Sequence, residues 1–344
     1  MRRQVEVSVI ISTRNRAAYL PDCIRSLAGQ DTKAEFEVVL IDNGSSDGTA
    51  QIMSEWCEKD SRFRWDREER VGLSFGKNAG IRLARGTLLL FTDDDTIPAS
   101  HWIEAYREFF ARHAESLIVA GGAVVPVPSD LGGWPTWFHP DALADLALLD
   151  HGSERPLEKA EYVWGGNMAV PAAAFARLGT WDETVGRRAE ERGTFEDVEF
   201  QDRLRGSGGS VWFHAGADVR HRVDPSNITP RRVASSAFGR GRNEFWIENV
   251  PRFGKEESVP RSPMLPAILG LIWHLWRWAV WATIYRVSSA PASFEHARRA
   301  AWSSGRALEG IRAGRGTTRS YRLLGRLTLR GRAIALLLLP DETR

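Results

Sequence analysis

The chain has 344 residues, enough for one large domain with an appendage or for two modest ones, and its 43% hydrophobic and 26% charged content excludes wholesale disorder. Lys and Arg number 46 against 44 Asp and Glu, a formal net charge of +2, so nothing in the overall balance calls for nucleic acid or another polyanion. Two cysteines, Cys23 and Cys57, form no CxxC pair and read as reduced apolar side chains, which excludes a zinc cluster.

In chain order, Val5 to Ser12 reads as a buried strand. Its apolar run is short, Glu6 and Ser8 interrupt it, and Arg14 and Arg16 follow, so it is not a secretory signal and a cytoplasmic protein is expected. Leu20, Ile24 and Leu27 fall at helical spacing over Tyr19 to Leu27. Phe36 to Ile41 is a second strand, followed by an Asn-Gly turn and a helix over Thr49 to Trp56. A short strand at Phe63 to Trp65, a helix over Gly72 to Ala84 and a strongly apolar strand over Thr87 to Thr92 complete the alternation. That order predicts an α/β fold with a mostly parallel sheet flanked by helices, whose ligands bind beyond the carboxyl ends of the strands.

Beyond Thr96 the pattern gives a helix (Trp102 to Ala111), a strand (Ile118 to Pro126), a Gly/Pro/Trp-rich loop over 132–140 and a strand (Glu161 to Val170). Gly193-Thr194-Phe195 reads as a loop entering a helix that begins near Glu196, and Val211 to Val223 ends the pattern. The composition then shifts to Arg, Trp and long apolar stretches, so one domain is expected over 1–228 and a helical, Trp- and Arg-rich region over 229–344.

Three polar clusters directly follow three predicted strands: Ser12-Thr13-Arg14-Asn15-Arg16, Asp42-Asn43-Gly44 and Asp93-Asp94-Asp95. All three therefore converge on one sheet edge. Three adjacent carboxylates repel one another unless a cation neutralises them, and oxygen ligands of this kind suit Mg²⁺ or Mn²⁺. Asp42 reads equally as an Asx-turn residue or as an acceptor for a nucleobase N–H until its shared location favours the ligand. Glu196 and Asp197 fit a helix start, where acids oppose the dipole, or carboxylates aimed into a cleft. His221 is a core histidine or a metal ligand.

These segments, with Gly76-Lys77-Asn78-Ala79-Gly80, Gly165-Gly166-Asn167-Met168 and Glu196-Asp197-Val198-Glu199-Phe200, resemble in order and spacing the family 2 glycosyltransferases of GT-A fold. The resemblance covers roughly residues 5 to 225. It implies an inverting transfer of a sugar from a nucleoside-diphosphate donor to an acceptor hydroxyl on a glycan, polysaccharide or lipid-linked precursor, assisted by Mn²⁺ or Mg²⁺. Thr13, Arg14, Asp42, Lys77, Asn78, Asp93 and Asp94 match donor-binding positions. Asp95 and His221 match metal ligands, Asp197 matches the catalytic base with Glu196 as its alternative, and Gly165, Gly166 and Asn167 match a loop bordering sugar and acceptor. The Gln-x-x-Arg-Trp element of processive relatives is lacking, and Arg242 to Trp246 is only a vague echo, so single transfer is expected. The competing readings are an inactive nucleotide-sugar binding module and a nucleotidyltransferase, whose Gly-rich phosphate loop has no counterpart in Ile11 to Asn15.

Met264 to Tyr285 is apolar and Trp-rich, and ~20 residues suffice to span a bilayer. His274 and Arg277 interrupt it, and a charge at mid-membrane costs ~2.5 kcal/mol or more. It reads as an interfacial helix on the inner membrane face, with a core or homodimer helix as the alternative, and the Arg-rich run from Arg298 to Arg332 as a basic face. Ala333 to Leu339 is too short to span.

Overall fold

The computed structural model describes residues 4–113, 117–129, 132–184, 196–249, 264–313 and 336–339. The expected loop at Gly193-Thr194-Phe195, the part of the basic run beyond residue 313 and residues 333–335 lie outside that range. The chain forms β1 (Val7–Thr13), α1 (Leu20–Ala28), β2 (Phe36–Asp42), α2 (Thr49–Lys59), β3 (Phe63–Arg67), α3 (Leu73–Leu83), β4 (Leu88–Thr92), β5 (Thr96–Pro98) and α4 (Trp102–Arg112). There follow β6 (Ile118–Gly121), β7 (Val124–Pro128), a 3₁₀ turn over Pro140–Leu146, β8 (Arg155–Pro156), β9 (Asn167–Pro171), α5 (Ala172–Leu178), α6 (Glu196–Gly206), β10 (Ser210–Phe213) and β11 (Val219–Val223). Three long helices close the order: α7 (Pro230–Asn249), α8 (Met264–Ser288) and α9 (Pro291–Ala313).

Two compact units result, Met1–Val125 with Leu149–Arg222, and Pro126–Leu148 with Val223–Arg344. Residues 126–148, expected in the first domain, fall in the second unit.

In the first unit the main sheet runs β3-β2-β1-β4-β9-β6-β10-β8. Its β3-β2-β1-β4 half is parallel, and β9 pairs antiparallel with both β4 and β6. The central strands are mostly apolar and buried along almost their whole length, as a parallel sheet covered by helices requires. Helix α1 buries Leu20, Cys23, Ile24 and Leu27, one stripe at i, i+3, i+4, i+7, and Pro21 fits its first turn, where no amide hydrogen bond is lost. Helix α3 lies against β1 on a glycine face: a Cβ on Gly76 would meet Ser12 Oγ at 1.9 Å, and one on Gly80 would meet Ile10 Cγ2 at 2.3 Å. Any side chain there would push the helix, and Lys77 with it, off the sheet.

Two expected strands are shorter in the structure. The predicted strand Ile118 to Pro126 breaks into β6 and β7 at Gly122, where the Ala217 carbonyl comes so close that a Cβ would lie 1.6 Å from its oxygen. The predicted strand Glu161 to Val170 begins only at Asn167, after a turn in which Asn167 N–H donates to the Trp164 carbonyl at 2.9 Å.

The second unit has its own core, in which Trp137, Leu146, Phe238, Trp278, Tyr285 and Phe294 are buried together. Trp137 meets Phe294 edge-on at 4.8 Å between centroids. Within this core Asp145 is sealed from solvent and accepts from Arg240 Nε at 2.7 Å and Arg298 Nη1 at 2.6 Å. Among the described residues no helix is long and apolar enough to cross a membrane.

Candidate active site

The parallel register brings the strand ends together. Thr13 is the cross-strand partner of Asp42, and β4, on the other side of β1, ends at Thr92, so Asp93 to Asp95 leave the sheet at the same edge. β11 pairs antiparallel with β5 and sets His221 opposite Thr96. His221 Nε2 stands 3.8 Å from Asp95 Oδ1.

Asp42 is fully buried. Its Oδ1 accepts from Ser45 N–H at 2.9 Å, whereas among the described residues Oδ2 makes no hydrogen bond and has the Arg67 guanidinium 3.4 Å away. A buried carboxylate oxygen left in that condition is costly without a donor, so Asp42 suits a ligand N–H or hydroxyl. Beside it Asn43 fixes the edge by donating to the Glu68 and Arg70 carbonyls at 3.2 and 2.8 Å and accepting from Gly72 N–H at 2.8 Å.

The cation paired with Asp94 and Asp95 is Arg16. Its Nε donates to Asp94 Oδ1 at 2.8 Å, its Nη2 contacts Asp95 Oδ2, and its guanidinium lies over the Tyr19 ring at 4.3 Å. Arg14, expected at the donor, is exposed and donates to the Gly44 carbonyl at 3.3 Å. The reason is local: Asn15 adopts φ 55°, a left-handed conformation Asn tolerates, and its side chain receives Ser46 N–H at 2.8 Å. That kink separates the paths of the two arginines. The only sequence signal for Arg16 was its place in the same cluster.

Deeper in the site Lys77 is buried with Nζ 3.1 Å from Glu196 Oε1, and it also faces the Trp181 ring at 5.3 Å. Asp197 Oδ2 accepts from Gly165 N–H at 3.0 Å, and Oδ1 from Val198 N–H at 2.8 Å. The paired glycines make this crowding possible. A Cβ on Gly165 would lie 2.6 Å from Lys77 Nζ, and one on Gly166 would lie 2.6 Å from Asp93 Oδ2.

Burial pushes the Asp197 carboxyl up to about 7, with Glu196 adding to the rise and Lys77 opposing it. Burial, reinforced by Asp95, raises Asp94 to about 6 against the pull of Arg16. Asp93 is raised by burial as well. Asp95 goes the other way: burial would raise it, but His221 and Arg16 together hold it below its ordinary value. Burial works against the Lys77 ammonium, yet Glu196, Asp93 and Asp197 outweigh that and raise it. The site thus holds Asp197 raised toward neutrality and Asp95 held below its ordinary value, the separation that acid–base chemistry exploits.

Two residues expected at the ligand have other tasks. Asn167 is fully buried and uses its whole amide on the core: Nδ2 donates to the Ala123 and Ala217 carbonyls at 2.9 and 2.7 Å, and Oδ1 accepts from Trp102 Nε1 at 2.8 Å and Tyr106 O–H at 2.7 Å. Asn78 brackets the backbone of Trp181, donating to its carbonyl at 2.9 Å and accepting its N–H at 3.0 Å. Both hold the walls of the site and leave no amide group for a substrate.

The donor set fits a hard divalent cation. Asp95 Oδ1 and His221 Nε2 are close enough for one ion to bridge, since two ligands bonded at about 2.1 Å lie up to about 4.2 Å apart. As the site stands, Arg16 occupies Asp94 and Asp95, and the ligand atoms of the aspartates and His221 are not gathered as three within 4.8 Å; among the described residues such a set occurs only at His139, Asp141 and Glu295.

Residues 8–176 match the family described as Glycosyl transferase family 2. Validoxylamine A glucosyltransferase of Streptomyces hygroscopicus subsp. jinggangensis is 29% identical over 285 residues, 73% of this chain and 66% of that protein. A PGL/p-HBAD biosynthesis glycosyltransferase of Mycobacterium bovis is 36% identical over 120 residues, 34% of this chain and 46% of that protein. Among solved structures, the mannosyltransferase PcManGT of Pyrobaculum calidifontis, in complex with GDP-Man and Mn²⁺, aligns with a TM-score of 0.51 at 16% identity, covering 98% of this chain and 86% of that one. Residues 8–176 therefore match a glycosyl transferase family 2 domain, and the fold is the GT-A architecture with a helical C-terminal region. It spans under two thirds of the length of the curated relatives it matches.

Proposed function

We propose that this chain is a glycosyltransferase that moves a sugar from a nucleoside-diphosphate donor to an acceptor hydroxyl with inversion, in its first unit. The observation that carries the reading is the Asp197 carboxyl, buried at the carboxylate-lined sheet edge and held at about 7. Such a carboxyl is a stronger proton acceptor than an ordinary carboxylate and is still ionised in about half of the molecules at neutral pH.

Asp197 takes the proton of the acceptor hydroxyl as that oxygen bonds to the anomeric carbon from the face opposite the diphosphate. The bond from the anomeric carbon to the phosphate oxygen breaks, and its electron pair leaves with the nucleoside diphosphate. No covalent intermediate forms, so one displacement inverts the centre. Lys77 holds Glu196 and its charge faces Asp197 and Asp93, while the Gly165 N–H fixes the Asp197 oxygen that does not point into the helix. Thr13 and Asp42, cross-strand partners at the sheet edge, would hold the base and ribose, and Asp93 and Asp94 would contact the donor beside them. Asp95 and His221 would hold Mn²⁺ or Mg²⁺, a Lewis acid that offsets charge on the diphosphate. A donor of this class is supported by the GDP-Man and Mn²⁺ bound in the mannosyltransferase of like fold. The acceptor is a hydroxyl of a glycan, polysaccharide or lipid-linked precursor.

The test is to incubate the chain with a panel of nucleoside-diphosphate sugars and Mn²⁺, follow nucleoside diphosphate release, and read the anomeric configuration of the product by NMR. Turnover that stops in excess chelator, with an inverted product, supports the reading. A retained configuration, or full activity in chelator, contradicts it.

A further inference from the structure

Helix α8 has two apolar faces, and among the described residues only one is covered. Leu271, Trp278, Ala282 and Tyr285 are buried in the second unit's core. Leu269, Ile272, Trp273 and Trp276 are each more than half exposed, and Ile284 and Val287 continue the exposed stripe at 39% and 85%. Their spacing follows the helical repeat, so they form one ridge. Trp273 and Trp276 stack with centroids 5.1 Å apart on that ridge. A contiguous apolar face of this size on a soluble surface marks a contact.

We infer that this ridge is a docking surface for an anionic lipid bilayer, on which α8 lies without crossing. The charge on the helix decides between occupants. Met264–Ser288 holds Arg277 and Arg286 and no Asp or Glu. Anionic headgroups complement such a helix, and exposed tryptophans prefer the boundary between headgroups and acyl chains. A second copy seated on the same ridge by two-fold symmetry would bring arginines against arginines with no carboxylate from either α8 to answer them. The sequence from Gly310 to Pro340 adds Arg312, Arg315, Arg319, Arg322, Arg326, Arg330 and Arg332, again with no acid. Among the described residues no helix is long and apolar enough to cross the bilayer, which leaves the in-plane arrangement.

The experiment sediments the full chain with phosphatidylcholine vesicles, with and without phosphatidylglycerol. The expected result is co-sedimentation with the phosphatidylglycerol vesicles, weakened at about 1 M salt, where charges are screened within about 3 Å. Trp273→Ser with Trp276→Ser should reduce that partition about 10-fold or more at an unchanged melting temperature, since each loses mainly exposed surface. Leu269→Ser with Ile272→Ser reads the same ridge without touching a tryptophan, and it decides the matter if the first pair fails to fold. A parent chain that ignores both vesicle types overturns the proposal, as does a pair of folded variants that bind like the parent. A dimer in analytical ultracentrifugation that either variant dissolves, with no vesicle binding, would assign the ridge to a second copy instead.

Discussion

Lys77 Nζ lies 3.1 Å from Glu196 Oε1, and both side chains are almost wholly shielded from solvent. Asp93 and Asp197 face the same ammonium, so one cation answers three carboxylates. Removing one partner of a buried pair costs about 3–5 kcal/mol, because the charge left behind has no counter-ion. Lys77→Met is expected to lower the unfolding free energy in urea by about that amount, and adding Glu196→Gln to restore part of it. Equal stability of Lys77→Met and the parent would show that Lys77 does not hold the cluster together.

The raised carboxyls make stability depend on pH. Asp94 at about 6 and Asp197 at about 7 keep protons that the unfolded chain releases near pH 4. Their contribution to stability is therefore full below about pH 4 and is lost as pH rises through about 7. With chelator and without donor, Asp197→Asn is expected to melt with the parent at about pH 4 and above it beyond about pH 7, since the amide carries no charge to bury. Thermal melts across that window check this. A gap that widens toward acid would contradict it.

Asn167 is expected to behave as a framework residue. Asn167→Ala would leave two backbone carbonyls, the Trp102 N–H and the Tyr106 hydroxyl without their partner. Each buried group so orphaned costs about 1–3 kcal/mol, so a loss of about 4 kcal/mol or more in urea unfolding is expected. A folded Asn167→Ala chain of parental stability that had lost only transfer would return Asn167 to the substrate.

These contrasts mark how far the sequence could be read. The sheet edge was legible because apolar runs stopped abruptly at Thr13, Asp42 and Asp93, and the alternation with helices forced those stops to one side. The pairing of Lys77 with Glu196 was not, because 119 positions separate them and only the packed fold brings them together. Asn78 and Asn167 looked like ligand residues because an amide inside a polar motif gives no sign of which way it faces. Arg16 was hidden by one left-handed residue, Asn15. The grouping of residues 126–148 with the C-terminal helices depends on Trp137 and Asp145 finding partners some 150 positions later: Phe294 for the ring, and for the carboxylate Arg298, separated by 153.

The most direct test of the account is the transfer rate of Asp197→Asn measured beside its donor affinity. The amide keeps the shape and can still accept the Gly165 N–H through its oxygen, but it cannot take a proton. Transfer is expected to fall by about 100-fold or more while donor affinity by calorimetry stays near the parent's. Transfer at the parental rate would contradict the account and move the base to Glu196, whose Oε2 is buried beside it without a hydrogen-bond partner.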